Sequence, residues 1–296
     1  MARTRKLPTA VAIVGAGAVL LSACGSSSYT GPNLAKGLSA TQLRATSQVQ
    51  TRKLTTFVLG VNGTAAIAAQ PEALGSSALA APFNGTPLPI AGSGPVVPPT
   101  QFSLALNLDI AGTRTPITLT QTGGHVYAAA LGNAILLPVP HATADLRAII
   151  VELIHTMAAP ALGPTKLIAG VPAQEISGRL DGVAASRLVA PLLGLVTSTA
   201  TPAPTPAQVL ARQLALAQAL GHGTLDEWVR ISDLRPAALQ LIASVAEGAA
   251  VSPVLERAAF DITLDLSAFD APQTITAPAN AVPMSATQLA QLIGLG

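Results

Sequence analysis

The chain has 296 residues, half of them hydrophobic and only 10% charged, with a formal net charge of +2 and a sequence pI near 9.0. Three of the 16 basic residues, Arg3, Arg5 and Lys6, stand at the very N-terminus, so beyond residue 23 the balance is 13 basic against 14 acidic side chains. With aromatic content at 3%, there is neither a basic stripe nor a stacking platform, and nucleic acid is excluded as a partner.

The first element is the stretch "TAVAIVGAGAVLLSACGSSS", Thr9 to Ser28. Gly15 and Gly17 after an apolar run suggest a dinucleotide-binding turn, but the third glycine position of that fingerprint is occupied by Leu20, too large for close helix packing. The first acidic residue of the chain is Glu72, so no carboxylate follows at the distance a ribose needs. An export signal fits instead: a positive n-region, an uncharged h-region from Ala10 to Leu21, then small residues, with an apolar run shorter than the roughly 20 residues of a membrane span. Leu21-Ser22-Ala23-Cys24 resembles the bacterial lipobox, which makes residues 1–23 a lipoprotein signal peptide and Cys24 the acylated first residue of the mature chain. Cys24 is the only cysteine, so no internal disulfide is available to an exported protein and a chemical role for this thiol is the economical reading. Residues 24–35, with "GSSSYTGP", read as a lipidated tether.

A capping box at Ser39 and Gln42 opens a helix to about Gln50, and Thr55 to Val61 has the composition of a strand. Residues 62–99 are Ala, Gly, Pro and Ser without a lasting period and are expected to form a long loop insertion. "FSLALNLDI" then alternates strictly, with Phe102, Leu104, Leu106, Leu108 and Ile110 on one face, and strands at Pro116 to Thr122 and His125 to Ala130 complete a meander. In "DLRAIIVELIHTM" the period becomes helical: Leu146, Ile149, Ile150, Leu153, Ile154 and Met157 form one apolar stripe. A hairpin from Lys166 to Leu180 turns near Gly170. Helices follow from Val183 to Leu193, capped by Asp181, and from the Thr205 and Gln208 capping box to Leu220. Strands are expected at Leu225 to Ser232, Ala237 to Ser244 and Ala258 to Leu266, and a capping box at Ser285 opens a terminal helix within a 279–296 extension. One-faced strands and one-striped helices satisfy each other when helices lie on the sheet, which is an α+β layer architecture.

Catalytic patterns are weak. Glu152 and His155 lie three apart on one helix, but the other histidine of an H-E-x-x-H zinc motif would fall at Val151, so no metal is expected. No serine sits in a G-x-S-x-G elbow, and His125, His141 and His222 stand beside turns or proline without a spaced carboxylate. Asp226 and Glu227 are adjacent on a strand and point to opposite faces, which argues against a carboxylate pair. Trp228 reads as a structural aromatic rather than a headgroup contact, and no cofactor is expected. The glycosylation-like triplets at Asn62 and Asn84 carry no weight in a bacterial lipoprotein.

"GGHVYAAAL" from Gly123, "KLIAGVPAQEISGRLDG" from Lys166, "TLDEWVRISDLRPAALQLI" from Thr224 and "FDITLDLSAFDAPQTITAP" from Phe260 resemble, in this order and behind a lipobox, the mycobacterial LppX/LprAFG lipoproteins. The resemblance runs from about Thr55 to Pro278, within a domain taken as 36–278; the 62–99 segment, the alanine-rich helix near 206–220 and the chain after Pro278 depart from it. It implies a curved antiparallel β half-barrel with helices over its concave face, enclosing an apolar cavity that takes acylated lipids or glycolipids and moves them through the cell envelope. Hiding such chains makes physical sense, since at about 0.8 kcal/mol per CH₂ an exposed sixteen-carbon chain costs more than about 10 kcal/mol in water. With that resemblance, Phe102, Leu104, Leu106, Leu108, Phe260, Ile262, Leu264 and Leu266, with Ile149, Ile150, Leu153 and Ile154 opposite, are expected to line the cavity. The expected partners are the lipid, the membrane through acylated Cys24, and an inner-membrane lipid transporter, at a site facing the periplasm or the outer side of the cytoplasmic membrane. The other reading is a non-transporting envelope lipoprotein that scaffolds or regulates a membrane complex.

Overall fold

Two strands nearly two hundred residues apart in sequence lie side by side at the centre of the sheet: Leu59 pairs with Leu266, Val61 with Leu264 and Ala65 with Phe260. The computed structural model describes residues 31–70, 84–110, 113–130, 132–137, 144–188, 205–246, 248–251, 255–285 and 288. The lipobox, Cys24, His141 and most of the terminal extension lie outside these residues.

The fold is α+β, built on one open, curled twelve-stranded sheet. In chain order the strands are β1 (Phe57–Ala69), β2 (Leu88–Val97), β3 (Gln101–Ile110), β4 (Thr113–Thr122), β5 (His125–Ala130), β6 (Asn133–Leu136), β7 (Met157–Ile168), β8 (Val171–Leu180), β9 (Thr224–Arg230), β10 (Pro236–Val245), β11 (Leu255–Ser267) and β12 (Val282–Pro283). Their order across the sheet is β12-β6-β5-β4-β3-β2-β1-β11-β10-β9-β8-β7. Every neighbour is antiparallel except β12 on β6. Two meanders, one from each half of the chain, are thus fused along β1 and β11.

The helices are α1 (Ala40–Arg52), α2 (Leu146–His155), α3 (182–188), α4 (Pro206–Leu220) and α5 (Gly248–Val251). Their starts follow from the sequence. Ser39 and Gln42 exchange capping bonds, the Gln42 N–H donating to Ser39 Oγ at 3.3 Å and the Ser39 N–H to Gln42 Oε1 at 2.9 Å. Thr205 and Gln208 repeat that box ahead of Pro206, and the Ser285 and Gln288 bonds are likewise formed. Buried Leu43, Ile150, Ile154, Leu216 and Leu220 from the helices join Phe57, Leu59, Val96, Phe102, Leu104, Leu239 and Leu266 from one sheet face in a single core.

Three expectations are corrected. Residues 62–99 are not one long loop: β1 continues to Ala69 and β2 fills Leu88–Val97. Alternation is hidden there because Gly63, Gly92 and Gly94 take inward positions that larger residues occupy on neighbouring strands. A Cβ at Gly94 would lie 1.8 Å from the Ser103 carbonyl oxygen and one at Gly92 2.1 Å from that of Ala105, so the close approach of β2 to β3 requires glycine. Secondly, β7 begins directly at Met157 instead of at Lys166, its pairing with β8 interrupted by register shifts between Ala158 and Ala161 and between Leu162 and Thr165. Pro160 and Pro164 are compatible with this because β7 is an edge strand. Thirdly, the buried face of α2 includes Val151, while Ile149 is 39% exposed. The Arg147 guanidinium donates to the carbonyls of Arg52 and Leu54 at 3.2 and 3.0 Å, which fixes the rotation of α2 and turns Val151, one helical turn on, inward.

Gly94→Val is expected to lower the unfolding free energy by about 2 kcal/mol or more through this overlap, read by chemical denaturation. Ser93→Ala, on the outer face beside it, should change it by less than about 0.5 kcal/mol; equal losses at the two positions would contradict the close-approach account.

Candidate functional site

Strand register decides which side chains share the inner face, the one carrying the helices. One row runs from Ile176 on β8 through Glu227, Leu239, Leu264, Val61, Gly92 and Leu106 to Ile117 on β4. The next row holds Leu225, Leu241, Ile262, Gly63, Ile90 and Leu108. Under α1 and α2 the face is dry: Leu59, Val96, Phe102, Leu104, Leu225, Leu239 and Leu266 are buried. Away from those helices Val61, Ile90, Leu106, Leu108, Ile117, Leu241, Ile262 and Leu264 are only half-buried. The result is an apolar band, floored in part by glycines, that the described helices leave partly uncovered.

The residues expected to line a cavity divide accordingly. Phe102, Leu104, Ile150, Leu153, Ile154 and Leu266 are buried in the core, while Leu106, Phe260 and Leu264 pack against it half-buried. Leu108 and Ile262 lie on the same face, also half-buried, and Ile149 is turned to solvent at the edge of α2.

The inner face carries one feature that sequence reasoning passed over. Glu227 is 0% exposed, set between Ile176 and Leu239 and covered by α1. Ser47 Oγ on α1 donates to Glu227 Oε1 at 2.5 Å, and Oε2 has no partner. Arg44 is close enough to act on the carboxyl electrostatically, but its Nη1 donates to the Met157 carbonyl. Burial pushes the Glu227 carboxyl up to about 8, against the lesser, lowering effects of the Ser47 hydrogen bond and the Arg44 charge. Its signal was the alternation Leu225, Glu227, Val229, which puts the carboxyl on an apolar face. Asp226 faces the other way, its carboxyl raised by partial burial and the nearby Glu175 charge and lowered by Lys166, so the two acids do not act as a pair.

Another buried polar side chain, Gln121, fixes the approach to α2. Its Nε2 donates to the carbonyls of Thr100 and Ala144 at 2.9 and 3.2 Å, and Oε1 accepts from the Ala144 N–H at 3.1 Å. Trp228 lies on the outer face against Ala173 and Ala238, its Nε1 donating to Glu175 Oε2 at 3.3 Å with Lys166 over its ring, which is a structural setting. Glu152 and His155 are both exposed on α2, and among the described residues no three His, Cys, Asp or Glu side chains come together. A hollow of about 290 Å³ opens beside outer-face Thr64, Ile242, Ser244 and Asp261, with His222 among its lining residues.

Because the raised acid binds its proton more tightly in the folded state, its stabilising contribution is complete below the unfolded value near 4.5 and is lost as pH rises towards about 8. The melting temperature should therefore fall between about pH 5 and about pH 9, and Glu227→Gln, neutral throughout, should flatten that slope. An unchanged slope in the variant would place the pH dependence elsewhere.

No protein-family model matches the chain, and no curated protein sequence does. Among solved structures, the chain is similar to LprF from Mycobacterium bovis, at 13% identity and a TM-score of 0.44, over 81% of this chain and 97% of that one. It is similar to the lipoprotein LppX from Mycobacterium tuberculosis at 11% identity and a TM-score of 0.44, over 79% and 98%. A LolA superfamily protein from Nitrosomonas europaea matches at 9% identity and a TM-score of 0.27, over 80% and 95%.

Proposed function

We propose that the chain is a cell-envelope lipoprotein that binds acylated lipids or glycolipids on the inner face of its curled sheet and takes part in moving them through the envelope. The observation that carries this is the half-buried apolar band of Val61, Leu106, Ile117, Leu241, Ile262 and Leu264, continuous with the dry core and only partly covered by the described helices. A surface of this kind, held open by glycines and flanked by helices, matches acyl chains in chemistry and in extent. Each methylene laid on it is withdrawn from water at a gain of about 0.8 kcal/mol. In this reading Phe102, Leu104, Ile150, Leu153, Ile154 and Leu266 form the wall behind the ligand, and no side chain has a catalytic role.

Cys24 acylation would hold the domain to the outer side of the cytoplasmic membrane. Several acyl chains anchor durably where a single myristoyl chain binds only marginally. Among the described residues no helix is long and apolar enough to cross a membrane. An inner-membrane lipid transporter is the partner that such a carrier would take its cargo from.

Protein purified from a native-like host without its own acyl groups should yield a stoichiometric acylated lipid on organic extraction, detected by mass spectrometry. Leu264→Trp, which fills the middle of the band, should reduce that lipid at least about fivefold, the equivalent of about 1 kcal/mol. An empty wild-type protein whose Leu106 and Leu264 are protected from solvent would contradict the proposal.

A further inference from the structure

Three polar atoms at the seam between α1 and the sheet are buried without a hydrogen-bond partner: Arg44 Nε, Gln48 Nε2 and Glu227 Oε2. On α1, Arg44, Ser47 and Gln48 fall within an arc of roughly 100°, and Ser47 fixes that arc over Glu227 through its bond to Oε1. The Ser47 hydroxyl occupies Oε1, so the neutral acid carries its own proton on Oε2. All three unpartnered atoms are then donors. The cross-strand neighbours of Glu227, Ile176 and Leu239, offer no side-chain acceptor, and a buried donor left without a partner is destabilising.

We propose that this seam is a binding site for the ester carbonyl oxygens of an acylated lipid, with Arg44, Gln48 and Glu227 as its donors. The inference rests on the lipid-binding reading above and specifies which end of the ligand is recognised. An ester supplies acceptors without bringing charge into apolar surroundings, whereas a phosphate would have to be desolvated beside a carboxyl with one cation near it, already engaged with the Met157 carbonyl. Arg44 and Gln48 are half-exposed as residues although these nitrogens are buried, so the seam reaches solvent on their side of α1. In the same row, fully buried Leu239 stands between Glu227 and the half-buried band that begins at Leu264. From Glu227 through Leu239, Leu264, Val61 and Gly92 to Leu106 there are five strand spacings, about 24 Å, which is the scale of a long extended acyl chain. A carbonyl at the seam and a chain on the band therefore fall along one row, on either side of the Leu239 side chain.

The test compares dipalmitoylglycerol with its dihexadecyl ether analogue, which keeps the chains and lacks the carbonyls, by competition for the purified protein in native mass spectrometry. The ester should be preferred about tenfold by the wild type. Gln48→Ala and Glu227→Leu should each erode that preference, read as the ratio of ester to ether bound, and Glu227→Gln, whose amide still donates, should retain it. Raising the pH through the range in which Glu227 loses its proton should reduce the ester preference as well. Equal binding of ester and ether, or a preference that persists in both Gln48→Ala and Glu227→Leu, would overturn the site. Loss of the ester advantage on adding inorganic phosphate would overturn it in favour of an anion. Binding of neither lipid would overturn the lipid-carrier reading and this site with it, whereas equal binding of both overturns the site alone.

Discussion

The pairing of β1 with β11 is the constraint from which the rest of the molecule follows. It joins a meander from the first half of the chain to one from the second, and its register aligns Leu59 with Leu266, Val61 with Leu264 and Ala65 with Phe260. A strand's side chains alternate between faces, so a slip of one residue would send this whole apolar set to the outer face and bring Asp261 and Asp265 inward. Local strand preference does not specify such a long-range pairing. Burial of one face does, because only one register puts the apolar residues of both strands on the face that carries the helices.

Once the register is set, the helices decide where the inner face is dry and where it is not. α1 and α2 are held by polar fixtures at the edge of the core: Ser47 to Glu227, Arg147 to the carbonyls of Arg52 and Leu54, and Gln121 to Thr100 and Ala144. These bonds are directional, and they pin the two helices over Phe57, Leu59, Phe102 and Leu104 rather than over the middle of the sheet. A fully apolar interface would permit the helices to slide and settle over the band. The buried carboxyl therefore combines an energetic penalty with a positional role.

Much of this organisation is legible in the sequence, and the illegible parts have physical causes. "FSLALNLDI" and "FDITLDL" announce their faces because every second residue is large and apolar, and the capping boxes at Ser39 and Thr205 mark helix starts because hydroxyl and amide groups must satisfy the first free N–H groups. The pairing partner of β1 on its other side, β2, is hidden because its inward positions include Gly92 and Gly94, whose value lies in having no side chain. β7 is hidden by its prolines and register shifts, tolerated only because the strand is at the sheet edge. The rotation of α2 could not be read from its apolar stripe, since an Arg147 contact with another segment settles it. In the sequence Glu227 is weighed only as half of a carboxylate pair with Asp226, although its place between Leu225 and Val229 already assigns it to the apolar inner face.

The central claim is that lipid lies on the inner face of the sheet, over the band between Ile117 and Leu241. Loading the purified protein with a lipid carrying a diazirine in its acyl chain, irradiating it and mapping the adducts by peptide mass spectrometry tests this most directly. The account predicts adducts on β1, β3 and β11 at Val61, Leu106, Ile262 and Leu264. Adducts confined to the outer-face hollow, at Thr64, Ile242 or Asp261, would contradict it.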